Sequence, residues 1–273
     1  MTDVRTILRQ SAAALGDRLE AELLLAHVLG VNRAWFFAHS DDALEAAATV
    51  RFDALVRRRA QGEPVAYITG TRDFWSMTLE VTAATLIPRP ETELLVELVL
   101  ERLPQRGRVV DLGTGSGAIA LAIAKERPDA SVSAVDASSA ALTVARRNAE
   151  RLGLQRVHFA ESDWFAALDE GRFDIVVSNP PYIEEGDAHL AQGDLRFEPV
   201  TALASGKDGL EDIRHIAQAA PRYLRPGGWL LLEHGWNQGP AVREVLRRTG
   251  LAGTFTAQDL EGRDRVSGAR HSS

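Results

Sequence analysis

The residues best equipped for chemistry stand in one short run, Ser178-Asn179-Pro180-Pro181-Tyr182, at the end of the apolar stretch Phe173-Asp174-Ile175-Val176-Val177. Two consecutive prolines cannot donate ladder hydrogen bonds or continue a strand. They also hold Asn179 and Pro180 extended. The result is a stiff tip that presents one amide side chain, one free proline carbonyl and one aromatic ring. The Asn179 side-chain oxygen and the Pro180 carbonyl are both acceptors, able to take the two hydrogens of a planar NH2 group. Tyr182 can stack on the flat group that carries it. An amide or base NH2 is a poor nucleophile because its lone pair is delocalised. Hydrogen bonds accepted out of plane favour a more pyramidal nitrogen with a freer lone pair, which is catalysis by positioning and electrostatics. A proline-rich turn with Asn179 as an ordinary turn residue would use the same residues, so the rest of the chain has to separate the two readings.

From residue 108 the sequence alternates strand and helix. Arg108 to Leu112 reads as a buried strand, Gly113-Thr114-Gly115-Ser116-Gly117 as a glycine loop, and Ala118 to Arg127 as a helix. A strand over 132–136 follows, then a helix capped by Ser138 or Ser139, a third strand over 157–160, and the strand that carries Asn179. This is the pattern of a doubly wound α/β sheet with right-handed crossovers. Ligands bind such a sheet beyond the carboxyl ends of its strands. Asp111 to Gly117, Asp136, Asp163 with Trp164, and Asn179 to Tyr182 all follow strands, whereas random turn residues would fall at both ends. The glycines alone satisfy a loose dinucleotide fingerprint. They fit equally a loop whose backbone approaches the amino-acid part of S-adenosyl-methionine, with Asp111 near its cationic end. Asp136 lies nineteen residues after Gly117, where an acid would bind ribose hydroxyls in either case. Asp163 and Trp164 offer an acceptor and an aromatic wall for adenine. A nicotinamide enzyme leaves Asn179 to Tyr182 unexplained; a methyl-transfer enzyme accounts for them.

The chain has 273 residues, no cysteine and a formal net charge of −7. That length allows one large or two smaller domains. Disulfides, thiolate catalysis and cysteine-ligated zinc are excluded, no metal site is expected, and the charge is unlike the basic footprint of a nucleic-acid binder. No signal peptide or membrane-length apolar run is visible, so a cytoplasmic protein is expected. Residues 1–71 read as a bundle of short helices, with Leu19, Leu23, Leu24 and Val28 as one apolar stripe and a helix starting at Asp41 or Asp42. They carry no catalytic constellation: His27 and His39 have no metal spacing, and Arg57-Arg58-Arg59 suits a solvated helix end better than an RNA contact. Such a module suits substrate docking or simple stabilisation. Residues 72–90 read as a hairpin linker ending in Ile87-Pro88-Arg89-Pro90-Glu91-Thr92. Arg89 and Glu91 either face the active-site cleft or belong to a stiff connector with a helix start. Residues 91–273 form the main domain. Within it the polar segment after residue 183 reads as a lid, His189 as a weak candidate base and His234 as structural. Pro226-Gly227-Gly228 reads as a turn before a strand over 229–233, and Ala269 to Ser273 as a frayed tail.

Asp111 to Gly117 resembles motif I of class I (Rossmann-like) S-adenosyl-methionine-dependent methyltransferases, and Asn179 to Tyr182 resembles the motif of amino methyltransferases acting on planar nitrogens. With Pro64 to Gly70, Leu86 to Thr92, Phe197 to Leu203 and the helical amino-terminal region, the chain is similar over nearly its whole length to the PrmC/HemK family of peptide-chain release factor glutamine N5-methyltransferases. The resemblance implies S-adenosyl-L-methionine as methyl donor, with S-adenosyl-L-homocysteine as product, and the glutamine amide of the Gly-Gly-Gln motif of class I release factors as acceptor. It implies Asn179, Pro180 and Tyr182 as catalytic residues. The cofactor pocket would be made by Asp111, Gly113, Thr114, Gly115, Ser116, Gly117, Asp136, Asp163, Trp164 and Asn179. Acceptor contacts would come from Asn179, Pro180, Pro181, Tyr182, Arg89 and Glu91. The helical domain would grip the release factor, and a monomer without a stable nucleic-acid partner is expected. The same clamp serves adenine N6 or guanine N2 methyltransferases, which remain the alternative. A non-enzymatic binding or cofactor-sensing role is a third reading, opposed by the intact clamp.

Overall fold

The computed structural model describes residues 2–170 and 172–272, in two compact units divided between Thr71 and Arg72. The first unit holds five helices: α1 (Val4–Leu15), α2 (Arg18–Leu29), α3 (Trp35–Ala38), α4 (Ala46–Ala60) and α5 (Val65–Thr69). Short acids start the first two, where the Asp3 and Asp17 carboxylates accept hydrogen bonds from the free first-turn amides of Thr6 and Leu19. Gly16 and Gly30 end those helices in the left-handed conformation. The core gathers around Leu24, Leu25 and Phe52.

Two expectations shift here. Leu19 and Leu23 are exposed, at 45% and 37%, while Ala21, Leu24 and Leu25 are fully buried. Helix α2 carries polar residues on opposite sides, Arg18 and Glu22 on one and Glu20 and His27 on the other, and is packed by α1, α4 and α5, so its sequence alone does not reveal the buried side. Helix α4 starts at Ala46 and not at Asp41 or Asp42, because that stretch is tied to the start of α1: the Asp42 carbonyl accepts from Val4 N at 3.0 Å and Ala43 bridges to Asp3. Arg58 and Arg59 spend their charge within the unit, on Glu63 and Glu20.

The hairpin of β1 (Thr71–Phe74) and β2 (Met77–Glu80) begins at the division between the units. It is anchored by Trp75 N on Glu93 Oε1 at 2.8 Å and Glu80 N on Asn148 Oδ1 at 2.7 Å. The main sheet has seven strands: β3 (Arg108–Leu112), β4 (Ser131–Asp136), β5 (His158–Glu161), β6 (Phe173–Ser178), β7 (Leu224–Glu233), β8 (Ala252–Gln258) and β9 (Asp264–Arg270). Their order is β5-β4-β3-β6-β7-β9-β8. The first five run parallel, and β9 runs antiparallel to both its neighbours. Alternate residues of one strand feed two cores: Val109 joins the one that holds α6 (Glu93–Arg102) and α7 (Ala118–Glu126), and Val110 the one that holds α9 (Glu211–Tyr223) and α10 (Gly239–Arg248). Helix α8 (Ser139–Arg151) follows β4 and is capped by Ser138, whose hydroxyl accepts from Ala141 N.

Strand β7 begins at Leu224 and passes through Pro226-Gly227-Gly228, where a turn was expected. The pairing with β6 shifts register there, and Gly227 takes a φ of 80°. The glycines let the strand bulge and resume. Ala269 and Arg270 are not frayed but lie in β9, paired with β7, and His271 exchanges backbone hydrogen bonds with Gly227 and Gly228. Ser273 lies outside the described residues. The chain reverses its direction of travel across the sheet between β3 and β6, which opens a crevice at their carboxyl ends.

Candidate active site

The glycine loop after β3 is built from below. Asp111 is fully buried; its Oδ2 accepts from Thr114 Oγ1 at 2.7 Å, and its Oδ1 has no hydrogen-bond partner. Burial pushes its pKa up to about 7, against the opposing pull of Thr114 and the Ala120 amide. Gly113 N and Thr114 N both donate to the Val135 carbonyl, and Gly115 N donates to Asp136 Oδ2 at 2.8 Å. Gly115 has a φ of 57°, and a Cβ there would meet nothing within 4 Å, so the loop turns bare backbone outward. Gly117, at φ 87°, instead faces inward on Leu121 and Ala145. Asn148, buried on α8, donates to the Ser116 carbonyl at 2.9 Å and fixes the far end of the loop.

Above the loop lies a cavity of about 470 Å³. Gly113, Gly115, Asp136, Asp163 and Trp164 line one side, and Asn179 and Pro181 another. Asp136 is anchored by the amides of Gly115 and Ser138, one on each oxygen, and each oxygen keeps a lone pair for a further donor. Burial raises its pKa against those two amides. The Trp164 ring packs 3.5 Å from where a Gly113 side chain would begin, so that glycine makes room for the aromatic wall. Open backbone, a carboxylate acceptor and a flat aromatic face are a donor set that fits a ribose-linked purine with an amino-acid tail, and the cavity has the size of a small-molecule site. Asp111, Thr114, Ser116 and Gly117 do not line the cavity; they shape the loop beneath it.

On the opposite side the Asn179 amide is turned by a neighbour. Its Nδ2 donates to Thr92 Oγ1 at 3.3 Å, which leaves Oδ1 as the free end. Pro180 is buried. Tyr182 is held through its backbone by Leu203 and Gln238, and its hydroxyl lies 3.5 Å from Glu233 Oε1. Burial first, and Glu233 second, hold that phenol above its ordinary pKa. Pro180, Tyr182, Arg89 and Glu91 do not line the cavity. Arg89 pairs with the buried Glu198, whose other oxygen accepts from Ile87 N at 2.9 Å. This clamp ties the polar segment after residue 183 to the strand-like piece before α6, and Pro199, Thr201 and Ala202 complete the cavity wall. Glu91 is half-buried and its charge is felt by Glu233 and Tyr182. His189 pairs with Asp187 on the surface, away from the cavity. His234 is buried between Ser267 Oγ and the Gly235 carbonyl and is structural.

Four polar residues that shape this site escape sequence reasoning: Thr92, Asn148, Glu198 and Glu233, all 4% exposed or less. Two carried a signal. Asn148 interrupts the apolar face of an amphipathic helix, and Glu233 ends an otherwise apolar strand core, Trp229-Leu230-Leu231-Leu232.

Comparison with known proteins decides the family. Residues 5–70 match the profile of the PrmC N-terminal domain, and residues 90–196 match that of the methyltransferase small domain. The release factor glutamine methyltransferase of Xylella fastidiosa (strain 9a5c) is 58% identical over 93% of this chain and 93% of its own. That of Escherichia coli K12 is 48% identical over 98% of this chain and 97% of its own. The chain belongs to the release factor glutamine methyltransferase family. A crystal structure of a methyltransferase from Pyrococcus furiosus, 18% identical with a TM-score of 0.55 over 80% of this chain and 98% of its own, shares the fold. The class I methyltransferase sheet expected from the sequence is therefore the fold found. In this family member the first profile spans α1 to α5, and the second runs from the turn before α6 through the Asn179 tip. Among the described residues no three His, Cys, Asp or Glu side chains gather as metal ligands, and no helix is long and apolar enough to cross a membrane.

Proposed function

We propose that this protein transfers a methyl group from S-adenosyl-methionine to the side-chain amide nitrogen, N5, of the glutamine in the Gly-Gly-Gln motif of class I peptide-chain release factors. The observation that carries the reading is that one cavity is bounded both by the bare glycine loop with Asp136 and Trp164 and by Asn179, whose amide oxygen is left free by Thr92. When bound, S-adenosyl-methionine supplies an electrophilic methyl group. Gly113 and Gly115 would hold it by backbone approach, Asp136 by accepting ribose hydroxyls, and Trp164 by packing on the purine. Asn179 Oδ1 and the Pro180 carbonyl accept the two hydrogens of the glutamine NH2, turning its nitrogen lone pair out of the amide plane. Tyr182 packs on that plane and keeps water away. No strong base is required, since the gain comes from orientation in a water-poor site.

The test is methyl transfer from labelled S-adenosyl-methionine to an unmethylated class I release factor, with its Gln-to-Asn variant and duplex DNA as parallel acceptors. Label on the wild-type factor alone, mapped to the glutamine, is the expected outcome. Label on DNA, or none on the factor despite tight cofactor binding, overturns the assignment of the acceptor.

A further inference from the structure

Asn148 does not line the cavity and takes no part in the chemistry above, yet it is a fully buried polar side chain in the interior of α8. Asparagine is a poor helix former, and its amide is costly to bury unless every group finds a partner. Here every group does. Its Oδ1 accepts from Glu80 N at 2.7 Å, and its Nδ2 donates to the carbonyls of Glu80 at 3.0 Å and Ser116 at 2.9 Å. The amide has no hydrogen left to give, and its partners come from two segments far apart in the chain. Both segments run on into the cavity wall. The Ser116 carbonyl belongs to the same peptide group as Gly117 N, which donates to the Thr114 carbonyl at 2.8 Å. That peptide group is therefore pinned at both ends, and the turn it closes presents Gly115 to the cavity. Glu80, the other partner, ends β2, and Ala83, Ala84, Thr85 and Leu86 line the cavity a few residues on. They lie in or beside a turn in which Thr85 N donates to the Thr82 carbonyl at 3.0 Å and Ala84 N to Thr82 Oγ1 at 3.2 Å. The far end of this turn is held at Ile87 by Glu198. Its near end is held at Glu80 by Asn148.

We infer that Asn148 is a positioning residue for the methyl donor: its one amide holds the glycine loop and the turn over 82–85 in register, so that two parts of the cavity wall are set by a single side chain. The inference rests on the function proposed above in one respect, that the ligand of this cavity is S-adenosyl-methionine. A shared amide differs from two independent contacts. If β2 draws away, Oδ1 loses its donor and Nδ2 one of its acceptors, and the amide is free to turn off the Ser116 carbonyl as well. If the glycine loop shifts, the strain returns to Glu80 by the same route. The ion pair between Glu80 and Arg147, 3.1 Å long, joins the same strand to the same helix. It lies in solvent, where such pairs contribute little, and it does not reach the glycine loop. A binding site keeps its geometry when the groups that touch the ligand are themselves locked by hydrogen bonds behind them. Asn148 supplies that lock for backbone, which has no rotamer of its own to be fixed by packing.

The experiment measures the affinity for S-adenosyl-homocysteine by calorimetry, and methyl transfer to a release factor, in the wild type, Asn148→Ala and Arg147→Ala. Asn148→Ala is expected to weaken the affinity by about 10- to 100-fold, the scale of one or two lost hydrogen bonds. Its kcat at saturating S-adenosyl-methionine falls by less than about threefold, since the Asn179 tip is untouched. Arg147→Ala keeps the wild-type affinity. Wild-type affinity in a folded Asn148→Ala overturns the inference, because the asparagine would then serve stability alone. An equal loss in Arg147→Ala also overturns it, because any contact between β2 and α8 would then suffice. Amide exchange in the ligand-free proteins tests the coupling directly. Gly117 N and Thr85 N, neither of them bonded to Asn148, are both expected to exchange faster in Asn148→Ala than in the wild type; acceleration of one alone, or of neither, overturns the inference. Should Asn148→Ala fail to fold, the wild type decides. S-adenosyl-homocysteine is expected to slow exchange of the Asn148 side-chain NH2 and of Glu80 N, although neither residue lines the cavity, and unchanged exchange overturns the inference. A wild type that binds S-adenosyl-homocysteine but methylates no release factor removes the acceptor proposed above and leaves this inference standing. A wild type that does not bind it removes the proposed donor, and the ligand-free exchange still decides whether one amide joins the two walls.

Discussion

Replacing Asp111 by asparagine tests how the site stores a buried acid beneath the glycine loop. Asp111 is fully buried with one oxygen unpartnered, and burial raises its pKa from 3.8 to about 7. Between about pH 4 and about pH 7 the folded chain keeps a proton there that the unfolded chain has released. Stability therefore falls as pH rises through that window and levels off above it. The full difference amounts to about 4 kcal/mol at about 1.4 kcal/mol per tenfold in proton affinity. Some 3 kcal/mol of it, roughly, falls between pH 5 and pH 8. Asparagine has the shape of the protonated acid and does not titrate. Calorimetric melting of both proteins at pH 5 and pH 8 isolates this group, since titrations not coupled to it cancel in the comparison. The variant is expected to gain on the wild type by about 3 kcal/mol between the two pH values, or roughly 6 to 12 °C in the melting of the second unit. A gap that does not change with pH would refute the argument that burial holds Asp111 neutral.

Three further outcomes are expected. Asp136→Ala removes the acceptor for ribose hydroxyls and the anchor of Gly115 N, and lowers cofactor affinity by about 10- to 100-fold, the scale of one or two hydrogen bonds to a charged group; unchanged affinity by calorimetry argues against the assignment. Asn179→Ala keeps cofactor affinity but loses about 100-fold or more in kcat, comparable to removal of an oxyanion-hole donor; separate measurement of Kd and kcat checks the split. Arg89→Ala leaves Glu198 charged and buried without its partner, and costs about 3 kcal/mol of stability, read as a lowered melting temperature. Glu198→Gln in the same background should restore part of it, and no recovery would mean that the pair is not the source.

The succession of strands along the chain and the placement of the site were legible because periodicity and turn chemistry speak locally. The strand over 173–178, the prolines after it and the three glycines after β3 each announce themselves within a few residues. What stayed hidden depends on partners far away in sequence. Arg89 reads equally as a cleft residue or as part of a stiff connector until Glu198, more than a hundred residues on, is seen to hold it. Asp111 reads as a ligand to the cofactor until the fold buries it beneath Thr114. The α2 stripe fails for a related reason: a helix with apolar residues between two polar sides offers more than one face, and only its neighbours select one. Glycine misled in the opposite direction at Gly227 and Gly228, where a turn signal marks a bulge inside a longer strand.

The position of the crevice between β3 and β6 also bears on how such a protein changes over generations. The glycine loop, Asp136 and Trp164 come from one continuous stretch of chain, on the β3-β4-β5 side of the sheet, while the Asn179 tip and Glu233 come from a later stretch, on the β6-β7 side. Thr92 and the Arg89–Glu198 clamp stitch a piece of earlier chain to the later half. Substitutions that reshape the acceptor side can thus accumulate in the later stretch while the donor side stays intact. A fold divided in this way can change what it modifies without having to relearn where the modifying group comes from.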